Sequence, residues 1–395
     1  MKHLPNLLFL VLIILSCEPD NEKALASFEV FCEMVANDAK PIALGHPMEK
    51  ADLDEVWKRY QVIAEAYDVS LFRELEFPVT PLFPASVTLG KEVVIIYRGS
   101  RLVQYQQFKE DLAGLKPEVA GRRFGRLLGY TSQGINELLM QNTEFRTLSS
   151  FGVNQQITHL YYQNLDMAHH FYRTILGLSL VDGIGYQLGE DVFIQLHEHN
   201  DRHPENQPKS TAIAFLTNQL PGWYQHVQEQ GVPIKYSYKP RDGGPHDGFV
   251  AIDPGGYLLE FEQFKQHPEN ELFMAELEDA PKMMTQIDSL SFLGSITWTY
   301  HNDLLKMQRF YEEVLGYRMV ADQGWTKIYQ TSAAGFIGLV DERRGMMDYA
   351  EAKAVELEWG LERAEEARDY FSPRDGWQED IVGLIGPERY VYLLR

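Results

Sequence analysis

Ile157-Thr-His159-Leu-Tyr161, followed by Phe171-Tyr172-Arg-Thr-Ile-Leu-Gly-Leu178, decides how this chain is read, because the chain carries it twice. A shift of 139 residues lays Ile157-Thr158 on Ile296-Thr297, Tyr161 on Tyr300, and Leu165 on Leu304. It also lays Phe171-Tyr172 on Phe310-Tyr311, Leu176-Gly177 on Leu315-Gly316, and Val181 on Val320. Those nine identities fall in 25 ungapped positions. A repeat of about 105–110 residues predicts tandem domains rather than a solenoid.

Each copy reads as strand, helix and three strands, made twice. The first copy predicts strands at 156–163, 178–182, 184–189, 191–198, 210–217, 232–238, 247–253 and 256–263, with helices at 165–176 and 219–231. The second repeats the order, with strands at 293–300, 317–321, 325–331, 335–341, 352–358, 380–386 and 389–394. Its helices fall at 303–315 and 361–371. The predicted division is 17–150 as a mixed, mostly helical region, 151–268 as the first copy, 269–291 as a linker, and 292–395 as the second copy.

The 395 residues exceed one ordinary domain, so more than one core is expected. Hydrophobic residues at 45% and charged residues at 24% exclude a collagen, a coiled coil or a disordered chain. A net charge of -21 without a basic stripe argues against a nucleic-acid partner. Two cysteines leave no disulfide framework.

The first of them closes an export signal. Lys2 precedes an unbroken apolar run, Leu7 to Leu15, too short for a bilayer span of roughly 20 residues. The run ends in Ser16-Cys17, which resembles the lipobox of bacterial lipoproteins. That resemblance implies a signal peptide over 1–16, lipidation of Cys17, and a chain exported and held to a bacterial membrane.

Ile157-Thr-His159-Leu, with Asp166 and Phe171 to Leu178, resembles the opening of the vicinal oxygen chelate superfamily, the glyoxalase, bleomycin-resistance and extradiol-dioxygenase group. Gly248-Phe-Val-Ala-Ile-Asp-Pro-Gly-Gly-Tyr-Leu-Leu-Glu260 resembles its closing strand. The resemblance implies an α+β fold, tandem domains built from paired βαβββ modules curled into a cup with a divalent metal on its floor. The implied ligands are His159 and Glu260, with Gln195 at the fourth-strand position and His197 as its alternative on the same strand face. An imidazole with a carboxylate suits Zn, Fe(II), Mn, Co or Ni better than Ca. Ser210-Thr211 stands where relatives often carry His, so a site of two histidines would need His197 or His246. Tyr161, Thr211, His246 and Trp298 complete the expected pocket.

In the second copy Trp298, Gly338 and Leu393 stand where His159, Gln195 and Glu260 stand, so that copy is expected to hold no metal. Three functions stay open: a metal-dependent lyase or isomerase acting on a small substrate with neighbouring oxygens, a ring-cleavage dioxygenase, and a binding lipoprotein without catalysis.

Overall fold

The computed structural model describes residues 21–395 apart from Asp279 and Asp288. The lipobox and its leader lie outside the described residues. The chain divides into two compact units at Phe145/Arg146.

The first unit sandwiches a small sheet between helices. Helix α1 (Asn21–Ala36) precedes strand β1 (Ile42–Leu44), and α2 (Lys50–Ala66) precedes β2 (Ser70–Glu74). A short helix α3 (Ala85–Thr88) leads to β3 (Val93–Tyr97), then come α4 (Arg101–Asp111), α5 (Pro117–Leu127) and α6 (Ser132–Asn142). β3 is central in the order β1-β3-β2. Alternation divides its side chains: Val94 and Ile96 pack with α1 and α2, while Val93 and Ile95 pack with α4 to α6. The Gly129–Gly134 segment is a turn whose Thr131 hydroxyl caps α6 by accepting from the Gly134 N–H at 3.1 Å. Cys32 is buried in the α1 core, and burial, then Glu29, pushes its thiol up to about 12.

The second unit holds the repeat as four modules. The first has β4 (Val153–Tyr162), α7 (Leu165–His170), β5 (Leu180–Val181), β6 (Gly185–Gln187) and β7 (Val192–Glu198). The next has β8 (Thr211–Leu216), α8 (Leu220–Glu229), β9 (Ile234–Tyr236), β10 (His246–Ile252) and β11 (Leu258–Phe264). Between the copies, residues 269–291 contain α9 (Glu271–Glu278) and a ribbon of β12 (Met283–Met284) and β13 (Ser291–Phe292). The third module has β14 (Gly294–His301), α10 (Leu304–Arg309), β15 (Arg318–Asp322), β16 (Thr326–Gln330) and β17 (Gly335–Asp341). The last has β18 (Val355–Leu361), α11 (Ala364–Phe371), β19 (Trp377–Gln378), β20 (Gly383–Ile385) and β21 (Val391–Leu394).

The modules pair across the repeat. One eight-stranded sheet runs β19-β20-β21-β18-β4-β7-β6-β5 and joins the first module to the last. The other runs β15-β16-β17-β14-β8-β11-β10-β9 and joins the two middle modules. Each sheet is closed at its centre by an antiparallel pair of first strands, β4 with β18 and β14 with β8. Neither copy therefore owns a sheet.

The backs of the sheets share one core, and equivalent residues fasten it. Thr158 and Thr297, related by the 139-residue shift, hydrogen-bond each other at 2.7 Å. The Tyr257 hydroxyl accepts from the Tyr161 N–H at 2.8 Å and donates to the Ala354 carbonyl at 2.6 Å. Tyr390 repeats this with the Tyr300 N–H at 2.8 Å and the Ser210 carbonyl at 2.6 Å. Behind β4, Tyr162 and Tyr172 donate to Asp253; at the matching place behind β14, His301 meets Glu388 at 2.9 Å. Each is a buried polar group given its partner, as burial requires.

Candidate functional site

His159 lies on β4 directly opposite Gln195 of β7, and β7 alternation puts His197 on the same face opposite Tyr161. The strand on the other side of β4 is β18, with Glu356 opposite His159 and Glu358 opposite Ile157. The carboxylates facing His159 thus come from the second copy. Leu393 of β21 is the neighbour of Glu358.

The His159 ring sits between two partners. Its Nδ1 is 2.8 Å from His197 Nε2, and its Nε2 is 3.4 Å from Glu358 Oε2. That Nε2 is buried and has no hydrogen-bond partner. Burial, then the neighbouring His159, pushes His197 down to about 4, so its imidazole is neutral at physiological pH. Burial pushes Glu358 up, yet His159 and Arg395 outweigh it and hold the carboxyl below its usual range. Arg395 reaches the other oxygen of Glu358 at 3.3 Å.

Glu356 is satisfied from every side. The Tyr161 hydroxyl donates to it at 3.0 Å, His203 Nε2 lies at 3.0 Å, and Arg202 at 2.9 Å. The carboxyl is held low despite its burial. His203 comes from the polar loop between the first two modules and stacks on Tyr161 with centroids 3.8 Å apart. Glu356, Glu358 and His203 carried no motif in the sequence. The only available signal was Val355-Glu-Leu-Glu-Trp359, two acids alternating with apolar residues in a predicted strand.

Glu260 is elsewhere. It lies on β11, opposite Ala214 of β8, in the other sheet, with Trp298 opposite Ala212. The expectation that His159 and Glu260 share one floor is corrected by this pairing. Glu260 has its register equivalent in Leu393, and Glu358 has its equivalent in Ala214. His246, at the start of β10 opposite Phe264, is also on the second sheet. Thr211 lies on β8 opposite Thr299, one residue off the Ala212–Trp298 pair and so on the other face, and donates to the Trp298 carbonyl at 2.8 Å.

The face carrying Trp298 is packed as core. Its apolar cluster takes in Ala212, Ala214, Ile296 and Phe336, with Phe273 and Leu277 of α9. A Cβ on Gly338 would stand 1.9 Å from Trp298 Cε3, so the missing side chain lets the indole lie flat on the sheet. Trp298→Ala is therefore expected to destabilise the fold by about 3–5 kcal/mol, which denaturant melts would read. A loss below about 1 kcal/mol would mean that the indole lines open space.

Glu260 and Glu262 share that apolar face, two residues apart on one strand. Burial pushes Glu260 up to about 7, with Lys235 the cation acting on it; burial, then Glu260, pushes Glu262 well above its usual range. Glu262 Oε2 has no hydrogen-bond partner. Carboxyls raised by folding stabilise it while protonated, below about pH 4.5, and that contribution is lost as pH rises through about 7. The double variant Glu260→Gln, Glu262→Gln should be more stable than wild type at pH 8, by about 3 kcal/mol, and the gap should close below pH 5. Equal stabilities at pH 8 would contradict the raised carboxyls of this pair.

Residues 155–261 match the family model of the Glyoxalase/Bleomycin resistance protein/Dioxygenase superfamily. This stretch of the chain belongs to that superfamily. The second copy repeats its element order, and the fold of the whole unit is that of tandem superfamily domains built from paired βαβββ modules. Among solved structures, glyoxalase I from Zea mays is 14% identical, with 61% of this chain and 92% of that chain covered and a TM-score of 0.42. Lactoylglutathione lyase from Agrobacterium tumefaciens is 21% identical over 28% of this chain and 96% of that chain, TM-score 0.23. An integron cassette protein from V. cholerae is 24% identical over 29% and 94%, TM-score 0.23. No curated protein matches the chain.

Among the described residues, no three His, Cys, Asp or Glu side chains converge on one point. His159 blocks such a cluster, since its ring separates His197 from Glu358. What remains is the facing pair of His159 Nε2 and Glu358 Oε2, 3.4 Å apart, with Gln195 opposite His159 on the neighbouring strand. Two ligands at about 2.0–2.2 Å from one ion stand about 3 Å apart, so the 3.4 Å gap is of that size.

Proposed function

We propose that the His159 face is the reactive centre of a metal-dependent lyase or isomerase acting on a small substrate with neighbouring oxygens. The observation that carries this reading is the buried Nε2 of His159, which makes no hydrogen bond and faces the Glu358 carboxylate at 3.4 Å. With His159 Nδ1 taken up by neutral His197, a cation between Nε2 and the carboxylate would replace the proton that the imidazole otherwise presents to Glu358. His159 and Glu358 would hold the ion, with Gln195 as a neutral third ligand. A bound divalent ion supplies Lewis-acid polarisation of two substrate oxygens.

The chain's own side chains do the rest. His197 fixes the His159 tautomer, so its role is positioning. Arg395 keeps Glu358 ionised. Glu356, held by Tyr161, Arg202 and His203, fixes the wall next to the ion and is too fully bonded to be a ligand. Membership of the superfamily supports enzyme chemistry of this class, and a lipid anchor at Cys17 would place it at a membrane surface.

Metal analysis of the purified chain, with assay against α-hydroxy carbonyl compounds, tests the reading. About one transition-metal ion per chain and metal-dependent turnover are expected. A chain that takes up no divalent metal and turns over none of these compounds would favour a purely sequestering protein.

A further inference from the structure

In the first unit, α1, the segment after β1, the Pro-rich loop and the turn at Leu128–Tyr130 enclose a cavity of about 120 Å³. We propose that it is a binding site for a small organic monocarboxylate with an apolar body of about benzene size. Its walls are mainly apolar, with Phe28 and Phe31 on one face of α1 and Phe77, Phe83 and Leu128 opposite. An apolar cavity of about 150 Å³ accepts a benzene ring, and at about 120 Å³ this one is four-fifths of that, so a single ring or a short branched chain is the largest apolar body it takes.

The polar groups select the charge. No lining residue is acidic, although the chain carries 57 acidic against 36 basic residues. Two lining residues are bases, Lys40 and His46. The Lys40 ammonium donates to the Leu128 carbonyl at 2.7 Å and stands 4.8 Å over the Tyr130 ring. Its remaining donors face no carboxylate among the described residues. Gly129, at φ +75°, lets the turn come within contact of Lys40 and Pro41, where a Cβ would meet Pro41 Cδ at 3.0 Å. The cation is thereby pinned at the wall. Burial lowers the Lys40 pKa, and burial, then Lys91, lowers that of His46. A carboxylate at Lys40 would supply the missing charge-assisted bond while its body fills the apolar volume.

The test uses the full chain and three probes of one shape, followed by calorimetry: benzoate, benzyl alcohol and benzylamine. Benzoate is expected to bind at least about ten-fold tighter than benzyl alcohol, and benzylamine not measurably. Equal affinity for benzoate and benzyl alcohol, or preference for the amine, would overturn the assignment without any variant. Lys40→Met should weaken benzoate about ten-fold and leave benzyl alcohol nearly unchanged. Val87→Trp, which fills the cavity from α3, should abolish both. Undiminished benzoate binding in a folded Val87→Trp chain would place the ligand elsewhere and overturn the proposal, as would benzoate that fails to bind wild type at millimolar concentration.

Discussion

Glu358→Ala is expected to abolish the metal binding proposed for the His159 face, whereas Glu260→Ala leaves it unchanged. Glu260 belongs to the first copy and Glu358 to the second, and the sequence motif favours Glu260. The structure assigns them to different sheets: Glu358 faces His159 at 3.4 Å, and Glu260 faces an apolar cluster around Trp298. Removing an outer partner of a metal site typically costs ~10–100-fold in affinity, and losing the one charged ligand should exceed that range. His159→Ala should match Glu358→Ala. His197→Ala should fall within the ~10–100-fold range, because it orients His159 without holding the ion. Metal content by elemental analysis, and affinity by competition with a chelating dye, read all four variants. Retained metal in Glu358→Ala together with its loss in Glu260→Ala would return the site to the motif's reading and refute the one proposed here.

A fragment of residues 151–268, the first copy by sequence, should fail to form a stable monomer. β4 would lose β18, its antiparallel neighbour from Val355 to Leu361, and β8 would lose β14. Each loss opens a sheet at its centre and leaves a long, apolar strand edge, the kind that associates with other chains. The core behind the sheets would lose Trp359, Leu357 and Tyr392, all buried. Tyr257 would lose its acceptor at Ala354. The fragment is expected to aggregate or to associate with itself, with no cooperative monomer melt, and co-expression with 269–395 should restore one soluble complex. A monomeric, cooperatively melting 151–268 fragment that binds metal as the full chain does would show that one copy is self-sufficient.

Much of the fold is written locally. The strand from 156 appears as Val153–Tyr162, and the predicted 335–341 strand has those same bounds. The helix read at 165–176 appears as α7 continued by a π-helical turn at Phe171–Ile175, and its repeat does the same at Phe310–Leu315. Period-two alternation placed His159, Gln195 and His197 on one face without any tertiary knowledge. In the first unit, the apolar spacing of Leu53, Val56, Tyr60 and Ala64 fixed α2 and the buried side of it.

The sequence by itself determined the repeat, the module order, the family of residues 155–261, and the loss of metal-type side chains at Trp298 and Leu393. The tertiary structure alone decided which module meets which. Strand pairing between modules is chosen by the fit of whole faces, and a segment such as Val355–Leu361 carries no mark of its partner. Two copies with the same periodicity can pair within themselves or across each other at little cost in local preference. Here β4 chose β18, so the copy with Trp298 in place of the site histidine supplies the carboxylate for the copy that kept His159. Glu260, without an imidazole opposite, became the half-buried member of an acid pair with buried Glu262.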